Sequence, residues 1–95
     1  MVVLKYGGSS VETIEKMHLV ADKIIKRKQV HEKVVVVVSA MGKTTNNLIE
    51  TAKKAVKEPT KRELDLLLST GEQVSISLLT MILIEKGYDT IALTG

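Results

Sequence analysis

Five consecutive valines, Val34 to Val38, constrain this chain more than any other feature. β-branched side chains suit an extended backbone. A strand with one wet face would alternate apolar with polar residues, and this run does not. The pattern therefore predicts a strand buried on both faces, as in a parallel sheet covered by helices. A second short strand is read at residues 2–6, Val-Val-Leu-Lys-Tyr. Between the two, Ile14, Met17, Ala21, Ile24 and Ile25 recur at three- and four-residue intervals and align one apolar helix face. Ser9 and Glu12 have capping-box spacing, which predicts a helix start near Val11. The basic cluster ending at Lys28 suits its C-terminal turn, where cations meet the negative end of the helix dipole.

Beyond the valines, apolar spacing through Leu48, Ile49, Ala52 and Val56 predicts a second helix over about 45–57, stopped before Pro59. A third helix is expected after Pro59 and runs to Leu68. Ser69-Thr70-Gly71-Glu72 then reads as a break, with Thr70 and Gln73 offering a fresh capping box. The fourth helix, about 72–86, turns Val74, Leu78, Leu79, Ile82 and Leu83 inward and stops at Gly87. Residues 89–93 read as a third strand. The expected class is α/β, a mostly parallel sheet with helices on both faces in the order β-α-β-α-α-α-β, joined by right-handed crossovers. At 95 residues the chain is one domain at most. Its last residue, Gly95, follows a strand end where another loop or helix is expected, so residues 1–95 read as the N-terminal portion of a larger domain.

Composition removes several function classes. The net charge is only +3 and there are two aromatic residues, Tyr6 and Tyr88, so base-stacking platforms for nucleic acid are scarce. Lys23, Lys26, Arg27 and Lys28 read as a solvated helix end. The absence of cysteine rules out a disulfide framework and thiolate metal sites, and fits a reducing compartment. Residues 73–84 carry no charge, but twelve residues fall short of the roughly 17–25 that a bilayer span needs. The opening Met1-Val2-Val3-Leu4-Lys5 is too soon charged for a signal peptide. No membrane or nucleic-acid partner and a cytoplasmic location are the expectation. His18 and His31 lack helical ligand spacing, so no metal site is assigned.

Two segments carry chemistry. Gly7-Gly8 joins a strand to a helix, and without Cβ atoms its amides can close on an anion. An unliganded tight turn would use the same glycines, but Lys5 ends the strand with a cation that an apolar sheet would otherwise hold at a cost. Gly42-Lys43-Thr44 suggests a P-loop, yet the required glycine five residues before Gly42 is Val37, and the match fails. Ser39, Thr44, Thr45 and Asn46 still place polar groups at a strand's carboxyl end, where open α/β sheets bind ligands. One of Thr44 and Thr45 is expected to cap the second helix. Glu72, alone in an apolar neighbourhood, either meets a helix dipole or grips a ligand ammonium.

Taken in order, Lys5-Tyr6-Gly7-Gly8-Ser9-Ser10, then Val36 through Gly42 with Thr45-Asn46, then Leu67 through Ser75 resemble the N-terminal part of the aspartate kinases, a branch of the amino-acid kinase family. Ala92-Leu93-Thr94-Gly95 adds weaker support, and the resemblance spans essentially the whole chain. It implies a phosphotransferase that moves the γ-phosphoryl group of Mg-ATP to the side-chain carboxylate of L-aspartate, the first step toward lysine, threonine and methionine. By resemblance, Lys5, Tyr6, Gly7, Gly8 and Ser9 belong to the ATP site, with Lys5 catalytic, and Ser39, Thr45 and Glu72 to the aspartate site. ATP with Mg²⁺ is the implied co-substrate, and a homo-oligomer is implied for the intact enzyme. The family's later substrate contacts, adenine pocket and regulatory ACT domains have no counterpart in these residues, so this segment alone is expected to be inactive. Two alternatives stay open: another phosphotransferase of the same family, or a non-catalytic module that pairs with other subunits.

Overall fold

The computed structural model describes residues 1–92. Its elements are β1 (Val2–Tyr6), α1 (Ile14–Val30), β2 (Val34–Val38), α2 (Thr44–Ala55) and α3 (Lys61–Glu85). The two strands pair in parallel with Val2 opposite Val34 and Tyr6 opposite Val38. The α/β class and the parallel sheet are as the sequence indicates. Because β1 and β2 run in parallel through the crossover helix α1, both strand C-termini, and the loops that leave them, emerge at the same edge.

Burial alternates along both strands, so the valine run has one covered face rather than two. Leu4, Tyr6, Val34, Val36 and Val38 turn toward α1 and α3, whereas Val3, Val35 and Val37 are about half exposed. Among the described residues, no helix covers that second face. The core lies on the first face. Val11, Met17, Val20, Ala21 and Ile24 meet Leu79, Ile82 and Leu83 across Val38. Fully burying an aliphatic side chain stabilises by roughly 1.5–3 kcal/mol, and these positions supply most of that here.

Three element-level expectations are corrected. The first helix starts at Ile14, not near Val11, because Ser10 donates to the Gly7 carbonyl in a turn and Thr13 becomes the cap, its hydroxyl accepting from the Lys16 amide at 3.1 Å. The two helices expected on either side of Ser69–Glu72 are one helix of 25 residues. The hydroxyls of Ser69 and Thr70 do not cap a new start but donate back to the Leu66 and Leu67 carbonyls, a bonding pattern compatible with an unbroken helix. Gly71, which lowers helix propensity by about 1 kcal/mol relative to alanine, is retained there for close packing. A Cβ on it would lie 3.0 Å from Ala40 Cβ and 3.1 Å from Thr44 Cγ2. The expected strand over 89–93 is irregular through residue 92, and the rest of it lies outside the described residues.

Other boundaries agree. Pro59 precedes α3, whose N-cap is Thr60. Gly87, at φ +94°, ends it in a left-handed turn. The Gly87 amide donates to the Ile84 carbonyl and that of Tyr88 to the Leu83 carbonyl, the paired bonds of a Schellman motif. At 25 residues, α3 is long and apolar enough to cross a bilayer by length and composition alone, unlike the twelve-residue run considered above. Here it lays Gly71, Ser75, Leu79, Ile82 and Leu83 against the rest of the fold.

Candidate functional site

The site begins where the two strands end. The Ser39 amide donates to the Tyr6 carbonyl at 3.1 Å, continuing the parallel ladder one residue beyond β2. The loops leaving the strands then touch through glycines. A Cβ on Gly8 would sit 3.0 Å from the Ala40 carbonyl oxygen and 3.5 Å from Gly42 Cα. Any side chain at residue 8 would wedge the two loops apart, because the atom it meets is backbone. Gly71 brings α3 against the same loop through Ala40, and against the first turn of α2 through Thr44. Three segments distant in sequence thus meet around Ala40, which is nearly fully buried.

The sequence-predicted residues lie as follows, some at this junction and some beside it. Gly7, Gly8 and Ser9 form the turn after β1, and the Ser10 amide closes it on the Gly7 carbonyl at 3.1 Å. Tyr6 packs half-buried against the core. Lys5 is exposed and stands opposite Val37, on the uncovered face of the sheet. Ser39 is exposed just past β2, and Thr45 is half-buried in the first turn of α2. Glu72 is exposed, directly after the Gly71 contact. Lys5 and Ser39 share the open side of the strand ends by alternation, while Gly71 and its neighbour Glu72 approach from the helical side.

Two of these placements remove structural explanations for the residues concerned. Glu72 lies near the middle of α3 rather than in a first turn, so the helix dipole does not account for it. It makes no ion pair among the described residues. Neither Thr44 nor Thr45 caps α2. The N-cap position falls to Lys43, whose side chain makes no capping hydrogen bond, and the first turn holds no acidic residue. The Thr44 amide turns back to the Met41 carbonyl at 2.8 Å, and no N-cap side chain bonds the next amides at the positive end of this 12-residue helix. Amides of a helix N-terminus and of a glycine turn are the kind of backbone group to which anions hydrogen-bond.

Sequence reading missed Glu12. Its spacing from Ser9 reads as a capping box, but its side chain lies over Gly42, where a Cβ would meet Cγ at 3.2 Å and Cδ at 3.6 Å. Nothing in its local sequence marks that contact, which depends on how the two loops meet.

Comparison with known proteins places the chain in a family. The profile of the amino acid kinase family matches residues 1–95. The aspartokinase of Geobacillus stearothermophilus is 56% identical over 95 residues, covering 100% of this chain and 23% of that relative. Aspartokinase 2 of Bacillus subtilis (strain 168) is 54% identical over the same span, again 23% of its length. The crystal structure of aspartate kinase from Synechocystis superposes with a TM-score of 0.85 at 49% identity, over 94% of this chain and 15% of that one. The chain thus spans about a quarter of the length of these curated relatives.

Proposed function

The chain belongs to the amino acid kinase family, and from that premise we propose that it supplies part of an aspartate kinase site, in which the γ-phosphoryl group of Mg-ATP passes to the side-chain carboxylate of L-aspartate. The observation that carries this reading is the junction of the Gly7-Gly8 turn, the N-terminus of α2 and the Gly71 contact. Attack by a carboxylate on a triphosphate brings anions together. Two unit charges about 4 Å apart repel by roughly 4 kcal/mol at an effective dielectric of 20. Lys5, the turn amides and the α2 N-terminus each offset part of that repulsion, so catalysis is chiefly alignment and charge stabilisation.

In this reading Lys5 and residues 6–9 hold the triphosphate, with Lys5 neutralising charge that develops during transfer. Ser39 and Thr45 hold aspartate, and Glu72 pairs with its α-ammonium. An ammonium partner gives this mid-helix carboxylate, which has no ion pair among the described residues, a role, and it discriminates an amino acid from a plain dicarboxylate. Among the described residues, no group of three or more His, Cys, Asp or Glu side chains is placed to hold a metal ion. Mg²⁺ would enter with the nucleotide, on its phosphates. The product would be an acyl phosphate, opening the route to lysine, threonine and methionine. A cytoplasmic location and a homo-oligomeric enzyme belong to the same proposal.

The test is an ATP-dependent hydroxamate assay on the full-length protein that contains these residues. Aspartyl hydroxamate formation is expected, with glutamate, acetylglutamate and carbamate at background. Activity on one of those instead would replace aspartate by a rival substrate of the same family. A second reading, as a subunit-pairing module, draws on Leu66, Val74, Met81 and Ile84, which form an exposed apolar stripe along α3. That reading requires no binding of Mg-ATP or aspartate in titration calorimetry.

A further inference from the structure

We propose that Glu12 is a positioning residue that locks the Gly7–Ser10 turn and the Ala40–Lys43 loop into one arrangement, and thereby sets affinity for both substrates of the proposed reaction. The inference rests on the kinase reading for its kinetic consequence, but its structural content does not. The Glu12 side-chain stem lies across Gly42, the residue at which the second loop bends toward α2. Its Oε2 is 3.3 Å from Lys16 Nζ, and the same ammonium donates to the Ser9 carbonyl oxygen at 3.4 Å. One carboxylate side chain therefore fills the space where a Gly42 side chain would stand and reaches the other loop through a shared lysine.

The clamp stands on a rigid base. Val11, immediately before Glu12, is fully buried, and Thr13, immediately after it, caps α1. The backbone at residue 12 is thus fixed on both sides, and its side chain can transmit that order to the loops. Gly42 fits the same account, because a side chain there would meet the Glu12 stem at 3.2 Å. The pairing also resolves a charge conflict. A bare carboxylate next to a phosphate-binding turn would repel the nucleotide, and Lys16 neutralises it while serving as the link to Ser9.

Packing and charge can be separated by two substitutions. Glu12→Gln keeps the stem over Gly42 and an amide oxygen for Lys16. Glu12→Ala loses both. In full-length enzyme, Glu12→Ala is expected to raise KM for both Mg-ATP and aspartate by about two- to fivefold, the size an exposed pair supports. Glu12→Gln should leave both KM values close to those of the parent and below those of Glu12→Ala, and the thermal midpoint of either variant should move little. Equal KM increases for the two variants, or a fall in thermal midpoint with KM unchanged, would overturn the proposal. Hydrogen exchange provides the readout that does not need activity. Glu12→Ala should accelerate amide exchange in residues 7–10 and 42–45 together, leaving α3 unchanged. Exchange altered in only one segment, or in neither, would also overturn it. Absence of kinase activity in the unsubstituted protein would defeat the proposed function, while the exchange experiment would still decide the role of Glu12.

Discussion

Replacing Gly71 by alanine sets two quantifiable effects against each other. Within an exposed helix interior, Gly→Ala stabilises by about 1 kcal/mol, because alanine loses less backbone entropy on folding. At residue 71 the new methyl would lie 3.0 Å from Ala40 Cβ and 3.1 Å from Thr44 Cγ2, with Leu48 Cδ1 at 3.5 Å. Comfortable carbon contacts begin several tenths of an ångström further out. Ala40 has no rotamer with which to yield, so the separation must come from displacement of α3 or of the 39–44 loop. Overpacking of this kind costs about 1–3 kcal/mol. The net expectation is a loss of about 1 kcal/mol, which in the larger full-length domain lowers the melting temperature by about 2–4 °C. Thermal unfolding followed by circular dichroism measures it directly. The double variant Ala40→Gly with Gly71→Ala removes the 3.0 Å contact and should recover part of the loss, a coupling of about 0.5 kcal/mol or more. If Gly71→Ala alone raises the melting temperature, the propensity gain is unopposed and the proposed contact between α3 and the loop does not exist.

Further predictions follow from the same contacts. Lys5→Ala in the full-length enzyme should reduce kcat by about 10²–10³-fold, as loss of a charge-stabilising donor does, with KM for aspartate within about twofold. Glu72→Ala should instead raise KM for aspartate about tenfold or more, the worth of a hydrogen bond to a charged group. Steady-state kinetics that give both variants the same signature would remove this division of roles. Ser75, fully buried in α3, has a hydroxyl with no hydrogen-bond partner among the described residues. Ser75→Ala should therefore raise stability by about 1 kcal/mol in denaturant unfolding, and a loss would show that the hydroxyl is satisfied. Gly87→Ala places a Cβ at φ +94° and should cost about 1–2 kcal/mol in the same experiment.

The local periodicity of α1 and the β-branched runs at 2–6 and 34–38 were sufficient to read the first three elements, because each signal is carried by neighbours in sequence, whereas the single covered face of the valine run depends on what packs against the sheet. The Ser69–Glu72 segment misled for a physical reason. Small polar residues around a glycine can start a helix or accommodate close packing within one, and only the partner surface decides which. Ala40 and Thr44, the partners of Gly71, lie some thirty residues away in sequence. The glycine turn and the polar loop of the candidate site were legible because strand-end positions are prescribed by parallel topology. Glu12 was not, since its contact with Gly42 belongs to neither local sequence.

The central claim is that the strand-end loops and the Gly71 face of α3 enclose a single site for triphosphate and amino acid. A crystal structure of the full-length enzyme with Mg-ADP and L-aspartate tests it most directly. The expected result puts Lys5 Nζ and the Gly7-Gly8 amides within about 3 Å of phosphate oxygens, and the Glu72 carboxylate at similar distance from the aspartate ammonium. Nucleotide and amino acid bound at separate places, with Lys5 and Glu72 each facing solvent, would contradict it.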